Sequence, residues 1–117
     1  DFAALYPNAE PSKISEKNLF IAESERGICR VICFSPNHSL TLAKMETTEI
    51  KRVVEVWQAQ TADLSRNDFI RSVQIFENRG EMMGRSNPHP HGQIWASESI
   101  PNELNKELNS FEDYRIK

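Results

Sequence analysis

Two of the three histidines lie in one tract, Ser86-Asn87-Pro88-His89-Pro90-His91-Gly92-Gln93. Each proline fixes its own φ and pushes the residue before it out of the α region, so Asn87 and His89 are biased toward extended geometry. Run as a strand, the tract points His89, His91 and Gln93 to one side at about 7 Å intervals. A polyproline path has a period of three and breaks that row. The strand-like Gln93-Ile94-Trp95-Ala96-Ser97 that follows favours the strand. A neutral imidazole is a good nucleophile toward phosphorus, and a glycine beside it lets a phosphate approach the backbone. Gln93 adds an amide donor that holds a phosphoryl oxygen without delivering a proton. A single His-Pro dipeptide reads as an inert surface turn, but two prolines, two histidines, a glycine and a glutamine together read as a functional site.

The elements that must position this tract follow from the flanking pattern. Leu19-Phe20-Ile21-Ala22 and Ile28-Cys29-Arg30-Val31-Ile32-Cys33-Phe34 are apolar runs separated by a polar stretch ending in Gly27, and they read as a β-hairpin. Ser35-Pro36-Asn37-His38-Ser39 is a cluster of turn residues, after which Leu40, Leu42 and Met45 lead into a helix. That helix runs from about residue 48 to 64, capped by Thr47 or Thr48. Its packed face carries Ile50, Val53, Val54, Trp57 and Leu64, and charges between Glu46 and Arg52 are solvated. Val73, Ile75 and Phe76 mark a strand ending at Glu77 and Asn78. Residues 79–91 form a long loop poor in packing residues, the kind that often carries function. Pro101 and Asn102 open a last helix with Leu104, Leu108 and Phe111. Trp57 and Trp95 read as core aromatics and Met82 and Met83 as gap fillers. The expected fold is α+β, an antiparallel sheet with a helix packed across one face.

Composition narrows the rest. A chain of 117 residues supports one core, and no apolar run approaches the roughly 20 residues that span a bilayer. Fourteen Lys and Arg against seventeen Asp and Glu leave a net charge of −3, so nothing draws the chain as a whole to nucleic acid or an anionic membrane. Any anion it binds is held locally. Cys29 and Cys33 would sit about 13 Å apart along a strand, too far for a disulfide. They read as reduced thiols of a cytosolic protein, small core residues rather than zinc ligands. The chain begins at Asp1 and carries no signal-like segment, and it is expected to be a piece of a longer polypeptide.

Several stretches resemble one known family. Phe76-Glu77-Asn78-Arg79-Gly80, then Met83-Gly84, then Ser86-Asn87-Pro88-His89-Pro90-His91-Gly92-Gln93-Ile94-Trp95-Ala96 are similar to the active-site region of the galactose-1-phosphate uridylyltransferases, the transferase branch of the histidine triad superfamily. Asp1-Phe2-Ala3-Ala4-Leu5, Arg30 to Phe34 with Ser35-Pro36-Asn37-His38-Ser39, and Pro101-Asn102-Glu103 extend the likeness over essentially the whole chain. The resemblance implies that residues 1–117 are part of an N-terminal, histidine-triad-like (HIT-like) catalytic domain. It implies a ping-pong reaction in which His91 attacks the α-phosphorus of UDP-glucose, releases glucose 1-phosphate and holds UMP until galactose 1-phosphate takes it. Gln93 would stand where hydrolytic relatives carry a third histidine, stabilising the intermediate without serving water as acid or base. Asp1 and Phe2 would contact uridine, Asn78 the nucleotide, and Gly84, Arg85 and Ser86 the phosphates. Arg85 departs from the family, many of whose members have Cys there.

The same resemblance implies structural metals and a dimer. His38 and His89 match two ligands of a zinc site whose remaining pair is a Cys-x-x-Cys outside this chain, and Glu107 matches the carboxylate of a second site, described as iron. Taken without the family, His38 is a polar turn residue and Glu107 an exposed helix residue. Two other functions compete: another nucleotidyltransferase or dinucleotide phosphorylase of the superfamily, and a non-catalytic nucleotide-binding or metal-stabilised module.

Overall fold

Among the described residues, five strands and two helices follow in the order β1 (Lys13–Glu16), β2 (Phe20–Glu23), β3 (Gly27–Cys33), α1 (Thr47–Leu64), β4 (Ser72–Phe76), β5 (His91–Ser97) and α2 (Asn102–Ile116). A 3₁₀ turn, Leu42–Lys44, precedes α1. The computed structural model describes residues 3–17, 19–80, 82 and 89–116. The architecture is α+β, and the strands form two antiparallel sheets, β1-β2 and β3-β5-β4. The tract that carries the candidate chemistry therefore enters the middle strand, flanked on both sides.

The hairpin differs from the one expected. β2 pairs with β1, Lys13 opposite Glu23 and Glu16 opposite Phe20, and β3 pairs with β5 instead. The turn between β1 and β2 is made by Lys17, whose φ of 52° is left-handed. Between β2 and β3, Arg26 leaves the ladder to form a parallel bridge with Tyr6, and its guanidinium forks onto Glu98. The short apolar runs themselves carry no information about which strand they meet.

One face of the three-stranded sheet is closed by α1. Ile50, Val53, Trp57 and Leu64 recur at helical spacing and pack into two adjoining clusters, one around Phe34, Met45 and Val53, the other around Leu64, Ile94 and Ala96. Trp57 and Ile32 touch both clusters. Val54 lies outside this stripe and is exposed. Arg30 ties β3 to the helix, donating to Gln60 Oε1 at 2.5 Å and Asp63 Oδ2 at 2.8 Å. The helix is capped by Glu46, not by a threonine, in a reciprocal box with Glu49. That assignment takes Glu46 out of the freely solvated charges.

Two further expectations are corrected by exposure. Met82 is fully exposed and fills no gap, while Met83 lies outside the described residues. Cys33 is exposed and Cys29 half-buried, so neither belongs to the core; β3 turns both to the face away from α1.

Candidate active site

Along β5 the burial alternates without a break: Gly92, Ile94 and Ala96 are buried toward α1, while His91, Gln93 and Trp95 stand on the open face. The ladder sets their neighbours. Cys33, Val31 and Cys29 of β3 lie opposite His91, Gln93 and Trp95 in turn, and on the other side Phe76 lies opposite Gln93 and Gln74 opposite Trp95. His91 and Gln93 thus share one side of a central strand, as the spacing required.

His89 leaves the row. It precedes β5, and its ring meets His38 edge to face, with Nδ1 to Nδ1 at 2.8 Å and centroids 4.5 Å apart. His38 is brought there by the turn after β3. Ser35 Oγ accepts from the Asn37 N–H at 3.1 Å, and Asn37 Oδ1 accepts from the Ser39 N–H at 2.9 Å. Phe34 N–H donates to the carbonyl of buried Pro90 at 3.1 Å, extending the β3–β5 ladder by one step and holding the two histidine loops together.

The backbone of His89 serves His91. His91 Nδ1 lies 2.7 Å from the His89 carbonyl oxygen. A carbonyl only accepts, so in the neutral ring the proton sits on Nδ1 and the lone pair on Nε2. That tautomer is the one a nucleophilic imidazole needs at the far end of its ring. Gln93 Oε1 accepts from Trp95 Nε1 at 3.1 Å, which makes the amide –NH2 the end turned elsewhere to donate.

Gly92 is also demanded by the core packing. It faces α1, and a Cβ there would come within 2.8 Å of Phe34 Cζ and 3.2 Å of the Phe76 carbonyl oxygen. The missing side chain makes room for Phe34 in the core. Trp95, expected in the core, is 36% exposed on the site face, its ring edge-on to Phe76 at 5.6 Å between centroids. Its contact with Gln93 was readable from their spacing of two along a strand. That Cys33 lies directly opposite His91 was not, because it needed the β3–β5 pairing.

Of the remaining expected site residues, Asn78 is half-buried two positions past the end of β4, at the His91 end of the sheet. Asp1, Phe2, Gly84, Arg85 and Ser86 lie outside the described residues. Glu107 is exposed on α2. Among the described residues no three His, Cys, Asp or Glu side chains gather in a cluster able to hold a metal. His38 and His89 thus bring together two imidazoles, donors of the kind a tetrahedral zinc site takes, with Nδ1 atoms closer than the roughly 3.3 Å that two zinc-bound nitrogens keep.

This geometry has a family. The model for "Galactose-1-phosphate uridyl transferase, N-terminal domain" matches residues 1–101. The chain belongs to that family. The galactose-1-phosphate uridylyltransferase of Haemophilus influenzae is 47% identical over 117 residues, covering all of this chain and 33% of the relative. That of Saccharomyces cerevisiae is 47% identical, with 95% of this chain and 32% of the relative covered. The chain thus spans about a third of the length of these curated relatives. A solved ADP-glucose phosphorylase from Arabidopsis thaliana with bound ADP-glucose shares the fold at a TM-score of 0.72 and 26% identity, over 76% of this chain and 28% of that one. No described helix of the chain is long and apolar enough to cross a membrane.

Proposed function

We propose that the protein transfers UMP from UDP-glucose to galactose 1-phosphate through a uridylyl group carried on His91. The observation that supports this most directly is the 2.7 Å contact from His91 Nδ1 to the His89 carbonyl, which makes Nε2 the lone-pair nitrogen of the neutral ring, on the open sheet face. In the first step Nε2 attacks the α-phosphorus of UDP-glucose. The Nε2–P bond forms, the bridging P–O bond breaks, and glucose 1-phosphate departs with the bonding pair. The ring becomes cationic, and its Nδ1–H goes on donating to the carbonyl, which stabilises that charge. In the second step a phosphate oxygen of galactose 1-phosphate attacks the same phosphorus, the N–P bond breaks, and UDP-galactose leaves with His91 restored.

Gln93 –NH2 donates to a non-bridging phosphoryl oxygen in both steps. An amide has no proton to give water and no basic nitrogen to activate it, so the covalent intermediate survives until the sugar phosphate arrives. Asn78 binds the nucleotide from the end of β4. Asp1 and Phe2 contact uridine, and Gly84, Arg85 and Ser86 the phosphates. His38 and His89 hold a structural zinc that fixes the loop before β5, and Glu107 contributes to a second metal, iron. The enzyme works as a homodimer in the cytosol, in keeping with the free thiols of Cys29 and Cys33.

The test is covalent labelling with UDP-glucose carrying ³²P in the uridylyl phosphate. The wild-type protein should retain label after denaturation, and His91→Ala should retain none. Label that persists in His91→Ala, or absence of label on both, refutes the proposal. The likeness to an ADP-glucose phosphorylase supports a second reading, in which the nucleoside is adenosine. Stronger labelling from ADP-glucose than from UDP-glucose selects it.

A further inference from the structure

A glutamine amide has two ends of nearly equal shape and opposite hydrogen-bonding character. Its orientation decides whether Gln93 attracts an anionic phosphoryl oxygen or repels it. The fold supplies a selector. Trp95 Nε1 lies 3.1 Å from Gln93 Oε1, and an indole N–H donates but never accepts. The end of the amide it meets must therefore be the carbonyl, and the –NH2 is left to donate elsewhere. A flipped amide would set –NH2 against N–H here and a carbonyl against the phosphoryl oxygens there.

The selector is itself held. Trp95 sits two residues beyond Gln93 on the same face of β5. Its ring meets Phe76 edge-on, with centroids 5.6 Å apart and planes at 72°. Phe76 is the residue directly opposite Gln93 in β4. Gln93, Phe76 and Trp95 thus close a triangle, with one cross-strand pair, one aromatic contact and one hydrogen bond. On the other flank the residue opposite Gln93 is Val31, 64% exposed and unable to compete for the amide.

We infer that Trp95 is a positioning residue for the transfer, donating its indole N–H to Gln93 so that the amide –NH2 faces the phosphoryl group carried by His91. The inference rests on the proposed function and adds a residue to it. Trp95 touches no substrate in this scheme and acts only through Gln93.

The experiment uses the full natural polypeptide carrying this chain. Two changes are made at position 95: Trp95→Phe, which keeps an aromatic ring near Phe76, and replacement of Trp95 by 3-benzothienylalanine, in which sulfur takes the place of the N–H at almost the same shape. Each should lower kcat for UMP transfer about tenfold, the worth of one hydrogen bond, while KM for UDP-glucose stays within about twofold. In a Gln93→Ala background the same changes should cost less than about twofold, because the route through the amide is already gone. An unaltered kcat in the benzothienyl protein overturns the inference, and so does an equal loss in the Gln93→Ala background. If Trp95→Phe fails to fold, the benzothienyl protein decides. Wild-type protein that forms His91-dependent covalent UMP, combined with either overturning result, leaves the proposed function standing and removes only Trp95. Absence of that label removes both.

Discussion

His91 turns its Nδ1 to the carbonyl of His89, 2.7 Å away, so the residue two positions before it sets its tautomer through the backbone. His89 is thereby engaged twice, by its carbonyl toward His91 and by its ring toward His38. If His91 carries the proposed uridylyl group, its loss is severe: His91→Ala is expected to reduce UMP transfer by on the order of 10⁴-fold or more, with the fold retained. Initial rates of UDP-galactose formation alongside circular dichroism check both halves of the statement.

Gln93→His places a group able to exchange protons beside the proposed uridylyl-histidine. The ratio of UMP released to water over UMP passed to galactose 1-phosphate should rise at least about tenfold. Product analysis by chromatography measures it, and an unchanged ratio means that the amide does not protect the intermediate.

Gly92→Ala drives a methyl group to 2.8 Å from Phe34 Cζ and 3.2 Å from the Phe76 carbonyl oxygen. Overpacking of this kind costs about 1–3 kcal/mol. The expected result is a lower urea midpoint at an unchanged m-value, since the injury lies in the core and not in the unfolded chain.

The zinc proposal makes its own prediction. His38→Ala removes one of two facing imidazoles and should lower zinc affinity by more than about tenfold, since zinc requires four ligands. Metal content by atomic emission and thermal unfolding with and without a chelator should fall together. Zinc content equal to wild type contradicts the assignment.

Arg26 holds the Glu98 carboxyl below the usual carboxylate range, chiefly through their side-chain hydrogen bond. A depressed folded value means that the pair stabilises above the ordinary carboxylate pKa, about 4.3, and that this contribution is lost as pH falls through the depressed value. Glu98→Gln should therefore be less stable than wild type near neutrality, with the gap closing in acid. Urea midpoints across that range test the sign, and a gap that widens in acid reverses it.

Much of this protein is written in local patterns. The 3.6-residue period marks α1, and the alternation from His91 to Ser97 marks β5. Alternation also sets His91 and Gln93 on one face, and the motif as a whole points to its family. These features are legible because each depends on neighbours within a few residues.

What the tertiary structure decided is which distant segments meet. β3 lies next to β2 in sequence yet pairs with β5, and β2 folds back on β1. An apolar strand of four to seven residues has no local mark naming its partner; the choice is made by which pairing buries Ile28, Ile32, Ile94 and Ala96 together under α1. From that choice follow Cys33 beside His91, Phe34 in the space that Gly92 leaves, and His38 brought across 51 residues to His89. The same sheet carries Trp95 onto its open face, because a strand sealed by a helix on one side must send alternate residues to the other, whatever their hydrophobicity.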